Sequence, residues 1–284
     1  MPVVSSEIAQ ENNSLDMTAV ASGAPSVLTL ENIWQALSED QFVPYFQPKV
    51  ALRGMQLQGV EALIRWRHPQ RGTLSASAFL PLVQDNFLFD DLTTLTLEKS
   101  IAQCAAWRTQ DLAVNISVNL SPDLLRDPGM ADRVAALLGQ NGLGPAQLTL
   151  EVPEHALVHD LAEDLDALVK LRARGFGLAI DDYGSGHCTP ELLEKVPASE
   201  LKLDRKMLAG AARRPGLRAQ LEEALDIGRE LGFMTVAEGV ENQEEWDLVN
   251  ELGCDMAQGY FIARPMTGES LVQWHRLWTT EPFI

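Results

Sequence analysis

Residues 161–204 read LAEDLDALVKLRARGFGLAIDDYGSGHCTPELLEKVPASELKLD. From Leu161 to Arg174 the apolar positions recur at helical spacing, and Gly175 follows where helix C-termini favour glycine. Gly177–Asp182 is then a short apolar run ending in two acids, Glu191–Val196 is helical again, and Leu201–Asp204 is a second short run. A strand, a helical crossover and another strand is the pattern of a parallel βα unit, with strands buried on both faces. Working outward, six more runs suit strands: Val43–Leu52, Gln56–Ile64, Val114–Asn119, Leu148–Val152, Met234–Glu238 and Ala257–Ala263. Between them lie the amphipathic stretches Leu92–Arg108, Met130–Gln140, Leu217–Leu231 and Glu244–Leu252, with Gly142, Gly232 and Gly253 as further stops. Eight alternating units make a closed α/β barrel the leading architecture and a doubly wound sheet the second. The first two strands are separated only by Arg53-Gly54 and their neighbours, too short for a helix, so these two should form an antiparallel hairpin.

The bulk composition narrows the function. At 284 residues and 46% hydrophobic the chain can bury one large core. A net charge of −18 with no basic stripe argues against nucleic-acid polymers as partners. Any phosphate ligand must therefore be neutralised locally. Cys104, Cys188 and Cys254 lie far apart without metal spacing, which suits reduced thiols in a cytoplasmic setting. The first cation is Lys49 and no apolar run is long enough for a bilayer, so neither a signal peptide nor a membrane is expected. Residues 1–27, rich in Ser, Ala, Asn and Glu, read as a flexible tail or linker, with the barrel occupying residues 28–284 and a first helix starting near Leu30.

The chemistry gathers at strand ends. Glu61 lies on the second predicted strand, Asn119 ends the third and Glu151 lies near the end of the fourth. Asp181 and Asp182 end the fifth, Lys202 is on the sixth, Glu238 ends the seventh and Gln258 begins the eighth. Barrel enzymes keep their active sites at that rim. Five carboxylates around one lysine would repel one another and take up protons unless cations compensate. Oxygen ligands select hard ions such as Mg²⁺ or Mn²⁺, and adjacent acids such as Asp181-Asp182 suit a two-metal site. Taken alone, Glu61 could be an exposed strand acid and Asp181-Asp182 ordinary turn residues. The five histidines show no metal-ligand spacing; His155 and His159 straddle a strand-to-helix turn.

With these residues in place, the chain resembles the EAL-domain family of cyclic di-GMP phosphodiesterases from about Phe42 to Pro265. The matches are VEALIRWRHP around Glu61-Ala62-Leu63, YFQPKV at Tyr45–Val50, SVNLS at Ser117–Ser121, LEVPE at Leu150–Glu154, IDDYGSG at Ile180–Gly186, LKLD at Leu201–Asp204, AEGVE at Ala237–Glu241 and AQGY at Ala257–Tyr260. The resemblance implies a modified TIM-type (β/α)8 barrel with an antiparallel first strand. It implies metal ligands at Glu61, Asn119, Glu151, Asp181 and Asp182, and roles for Lys202, Glu238 and Gln258 in holding the catalytic and metal-bound waters. Dinucleotide contacts fall on Gln47, Leu63 and Arg65, and Glu154 matches a loop-stabilising glutamate. The implied reaction is two-metal hydrolysis of cyclic di-GMP to linear pGpG by a homodimer, controlled by an upstream sensory or receiver domain or protein. One loop departs: His187, Cys188 and Pro190 stand where the family usually has Tyr, Ser and Leu, with Thr189-Pro190 expected to start the next helix. Two other readings compete. One is a cyclic di-GMP receptor of low or no activity; the other is a glycoside hydrolase, disfavoured by the Asn119/Lys202/Gln258 set and 6% aromatic content.

Overall fold

A computed structural model of the protein describes residues 27–158, 161–186 and 188–280. The expected N-terminal tail lies outside the described residues except for Val27, as do His159 and His187. The strands are β1 (Phe42–Ala51), β2 (Leu57–His68), β3 (Gly72–Ser75), β4 (Asn115–Asn119), β5 (Leu148–Pro153), β6 (Gly177–Tyr183), β7 (Glu200–Leu203), β8 (Met234–Ala237) and β9 (Met256–Ala257). They run in the order β1-β9-β8-β7-β6-β5-β4-β2, and β1 pairs back onto β2 to close the barrel. All pairs from β2–β4 round to β8–β9 are parallel, whereas β1 meets β9 antiparallel, Val50 opposite Ala257. The expected hairpin is present: the Ala51 amide donates to Gln56 O across the β1–β2 turn at 2.9 Å. Gly142, Gly175, Gly232 and Gly253, read as helix stops, all have positive φ, between 67° and 92°.

The chain divides into two compact units. The smaller comprises residues 27–43 and 64–88. It holds the helix Leu30–Ser38, started by a capping box between Thr29 and Asn32, and a cluster of Phe42, Trp66 and Phe79 with ring centroids 5.1–5.9 Å apart. It also contains β3, antiparallel to the far end of β2, a strand the sequence reading did not include. The larger unit, residues 44–63 and 89–280, carries the barrel. Its strands are buried on both faces, as in the run Glu200–Leu203, because the long helices between them cover the outside while Glu200 and Lys202 turn their charges to the inside.

The last strand is shorter than expected. Instead of Ala257–Ala263, only Met256–Ala257 pairs. Beyond it the chain turns: Phe261 N donates to Val240 O at 3.0 Å, while Ile262 N and Ala263 N both bond to Gly259 O. The turn depends on Gly259 pressing on the backbone of Val240, where an added Cβ would lie 2.1 Å from the carbonyl oxygen and 2.3 Å from the nitrogen. Gly259→Ala should therefore destabilise the protein by about 3 kcal/mol, lowering the melting temperature by roughly 6–12 °C. A melt of this variant close to wild type would show that the contact can relax.

Candidate functional site

Opposite faces of a regular strand take alternate side chains, so adjacent acids should point apart. At Asp181-Asp182 they do not. Ile180 pairs with Leu201 and Tyr183 with Leu203, so two residues of β6 oppose the single Lys202 of β7. Asp182 has φ +57°, the left-handed conformation that Asp tolerates better than most residues. As a result, carboxylate oxygens of Asp181, Asp182 and Glu238 lie within 4.8 Å of one another, in a grouping able to hold a metal ion.

Lys202 sits at the centre, 1% exposed. Its Nζ is 2.7 Å from Asp181 Oδ1, 2.8 Å from Glu151 Oε2, 2.9 Å from Glu238 Oε1 and 3.5 Å from Glu61 Oε2. Glu238 and Gln258 lie one residue beyond their strands, where backbone bonds continue the ladder from Glu238 N to Leu203 O and from Gln258 N to Ala237 O. Two amides orient Glu61: Asn119 Nδ2 donates to Oε1 at 3.0 Å and Gln258 Nε2 to Oε2 at 2.6 Å. Gln258 Nε2 also reaches Gln47 Oε1 at 3.2 Å, and Gln47 Nε2 donates to Ala263 O.

The charges are not balanced by protein alone. Burial, then the charges of Glu61 and Asp181, push Glu151 well above the carboxylate range despite Lys202. Burial, with Asp181 and Glu61 adding to it, raises Glu238 to about 8. Asp182 is raised by partial burial and by Asp181 and Asp204. Burial would also raise Glu61, but Lys202, the two amides and Lys49 together hold it below its ordinary value. Lys202 is held charged well above the lysine range: burial opposes this, and the surrounding carboxylates outweigh it. Glu151 Oε1, Asp181 Oδ1 and Gln258 Oε1 are buried without any hydrogen bond. The first two face ammonium groups only as ion pairs. Unfilled buried acceptors in an all-oxygen donor set fit a hard divalent cation.

Glu154, 1% exposed at the end of β5, fastens the loop after β6. Its Oε2 accepts from Gly184 N, Ser185 N and Ser185 Oγ, and Oε1 from Cys188 N at 2.6 Å. Thr189 and Pro190 occupy the N-cap and first position of the short helix Pro190–Leu193, but the Thr189 hydroxyl makes no capping bond to its amides. Replacing Glu154 with Ala leaves four loop donors without their acceptor, so turnover should fall at least about tenfold and the protein should lose about 1–3 kcal/mol of stability. Steady-state rates and melts on the same preparation check this.

Of the residues read from the sequence, Gln47, Glu61, Asn119, Glu151, Asp181, Asp182, Lys202, Glu238 and Gln258 therefore form one cluster. Leu63 lies two residues beyond Glu61 on β2, half-buried, and Arg65 belongs to the smaller unit, its Nη1 donating to Ile64 O. Three residues were missed. Lys49 Nζ is 2.5 Å from Glu200 Oε1 and 2.8 Å from Ser117 Oγ, all three buried beside Glu151. For Lys49 the available signal was the one that exposed Lys202, a charged residue inside an apolar strand run; Glu200 and Ser117 carried no such mark.

Fold and site together define a mixed barrel, parallel except for its antiparallel first strand, with a lysine-centred acidic cluster at the C-terminal ends of the parallel strands. The EAL domain profile matches residues 30–265, and the chain belongs to the EAL-domain family of cyclic di-GMP phosphodiesterases. It is 36% identical over 253 residues to the bifunctional diguanylate cyclase/cyclic di-GMP phosphodiesterase MucR of Pseudomonas aeruginosa, covering 89% of this chain and 37% of that protein. It is 35% identical over 238 residues to the cyclic di-GMP phosphodiesterase RocR of the same organism, covering 84% of this chain and 61% of that one. The chain thus spans less than two thirds of either relative's length. Among solved structures, the PaMucR phosphodiesterase in complex with c-di-GMP superposes with a TM-score of 0.81 at 37% identity, covering 85% of this chain and 98% of that one. No helix among the described residues is long and apolar enough to cross a membrane.

Proposed function

We propose that this chain hydrolyses one phosphodiester bond of cyclic di-GMP to give linear pGpG, using two Mg²⁺ or Mn²⁺ ions held by Glu61, Asn119, Glu151, Asp181 and Asp182. The observation that carries this reading is the excess of carboxylate over cation around Lys202, with buried carboxylate oxygens left without hydrogen bonds. Bound there, the ions would supply Lewis acidity to the phosphoryl group and to a water. Lys202, touching four of the acids, would hold its ammonium against a water or a phosphoryl oxygen. Glu238, raised to about 8, can hold or release a proton near neutral pH. Asn119 and Gln258 keep Glu61 aimed, and Gln47, Leu63 and Arg65 would contact the dinucleotide. Glu154 steadies the loop next to Asp182.

Release of pGpG from purified protein tests the reading. Turnover with Mg²⁺ or Mn²⁺ and none after metal stripping is expected; tight cyclic di-GMP binding without pGpG would favour a receptor instead. Ca²⁺ accepts oxygen ligands at longer and looser geometry, so it should support less than about a tenth of the Mg²⁺ rate and inhibit when added to it. We further infer a cytoplasmic homodimer governed by an upstream sensory or receiver domain or protein, as the resemblance to the family implies. Light scattering of the protein in solution checks the dimer.

A further inference from the structure

We propose that Glu200 and Ser117 tether the Lys49 ammonium away from Glu151, and so keep Glu151 Oε1 open for a divalent cation. The proposal rests on the metal-dependent reading above and assigns positioning residues to it. Lys49 enters the barrel from β1, and its stem lies against Gly59, where an added Cβ would stand 3.6 Å from Lys49 Cε and 3.2 Å from Asn115 O. That confinement leaves the ammonium few places to go. Two of its donors are committed, to Glu200 Oε1 at 2.5 Å and Ser117 Oγ at 2.8 Å. Glu151 Oε1 is the next acceptor, 3.8 Å away and without a hydrogen bond, while Glu151 Oε2 is already held by Lys202 at 2.8 Å. A movement of about one ångström would bring Lys49 into hydrogen-bonding range of Oε1. Glu151 would then be closed by an ammonium on each oxygen. The uncompensated charge would also repel an incoming dication, so both effects act against metal binding.

The test is Mn²⁺ binding to metal-stripped protein, followed by titration calorimetry and by the electron paramagnetic resonance of free Mn²⁺. Glu200→Gln removes the negative charge that holds Lys49, leaving only a neutral acceptor, and should weaken Mn²⁺ at least about tenfold, the scale of losses on disturbing the groups behind metal ligands. Adding Lys49→Met to the same variant removes the competing ammonium. The double variant should regain wild-type affinity within about threefold, because a buried ion pair replaced on both sides is often tolerated. A pair serving only the fold predicts otherwise, with the double variant no better than the single. Equal affinity in wild type and Glu200→Gln, or no recovery in the double variant, overturns the proposal. If Glu200→Gln does not fold, Ser117→Ala loosens the same ammonium without unpairing an acid and should weaken Mn²⁺ in the same direction; unchanged affinity there overturns it equally. Wild-type protein that takes up no Mn²⁺ removes the metal reading itself, an outcome distinct from wild type and variant binding alike.

Discussion

Glu61→Ala and Asp181→Ala should each lower pGpG release at least about a hundredfold, a rise in barrier of about 2.7 kcal/mol, in protein that remains folded. The two variants fail for related reasons. Glu61 carries an amide on each oxygen and faces Lys202, so its loss removes a proposed ligand and also releases Asn119 and Gln258. The freed amides should cost about 1–2 kcal/mol of stability. Asp181 lies at the bulge with a buried oxygen that has no hydrogen bond, and its removal takes one negative charge from beside Glu151, Asp182 and Glu238. The 2.7 Å contact with Lys202 is lost as well, but three other acids still surround that ammonium, so metal-free Asp181→Ala should lose less stability than Glu61→Ala. Circular dichroism melts with and without Mn²⁺, beside steady-state rates, separate the two effects. More than about a tenth of wild-type activity in either variant, a barrier change below ~1.4 kcal/mol, would contradict the ligand assignment.

Much of this arrangement could be read in the sequence, for local reasons. Apolar runs closed by Gly175 or Gly232 mark strand and helix because those glycines take positive φ at helix ends. The antiparallel start follows from the short gap at Arg53-Gly54. Polar residues such as Lys202 stand out because an apolar strand has no other use for them. What escaped depends on distant contacts. The β3 stretch Gly72–Ser75 has no buried residue, so its composition looks like a loop, and only pairing with β2 makes it a strand. The end of β9 is set by Gly259 meeting Val240. The common aim of Asp181 and Asp182 needs a left-handed Asp182, which adjacent acids in a sequence do not reveal. Lys49 and Glu200 pair across 151 positions of chain, beyond any local pattern.

Metal-free protein should become less stable as the pH is raised from about 4.5 to about 8, and Mn²⁺ or Mg²⁺ should abolish the decline. Burial, with the charges of Asp181 and Glu61, raises Glu238 to about 8 from the 4.5 of a free side chain. Between those values the folded protein holds a proton that the unfolded chain has released, so stability falls with pH throughout that window. Glu151, raised chiefly by burial, acts in the same direction. Glu61 acts oppositely: its lowered carboxyl contributes stability that is present above its unfolded value and lost only on acidification below it. The lowered His68 and His275 add a rise near pH 6, small because neither is deeply buried. The net loss should be a few kcal/mol, on the order of 10 °C in melting temperature. A bound dication favours the ionised carboxylates and displaces their protons, which removes the pH dependence along with its cause. Melts in EDTA and in Mn²⁺ from pH 5 to pH 8.5 measure both curves, and Glu238→Gln should make the EDTA curve shallower, leaving the part that Glu151 contributes. A metal-free melting temperature that holds level or climbs across this range would mean that the acids around Lys202 are already balanced by the protein, and the case for cations there would lose its electrostatic basis.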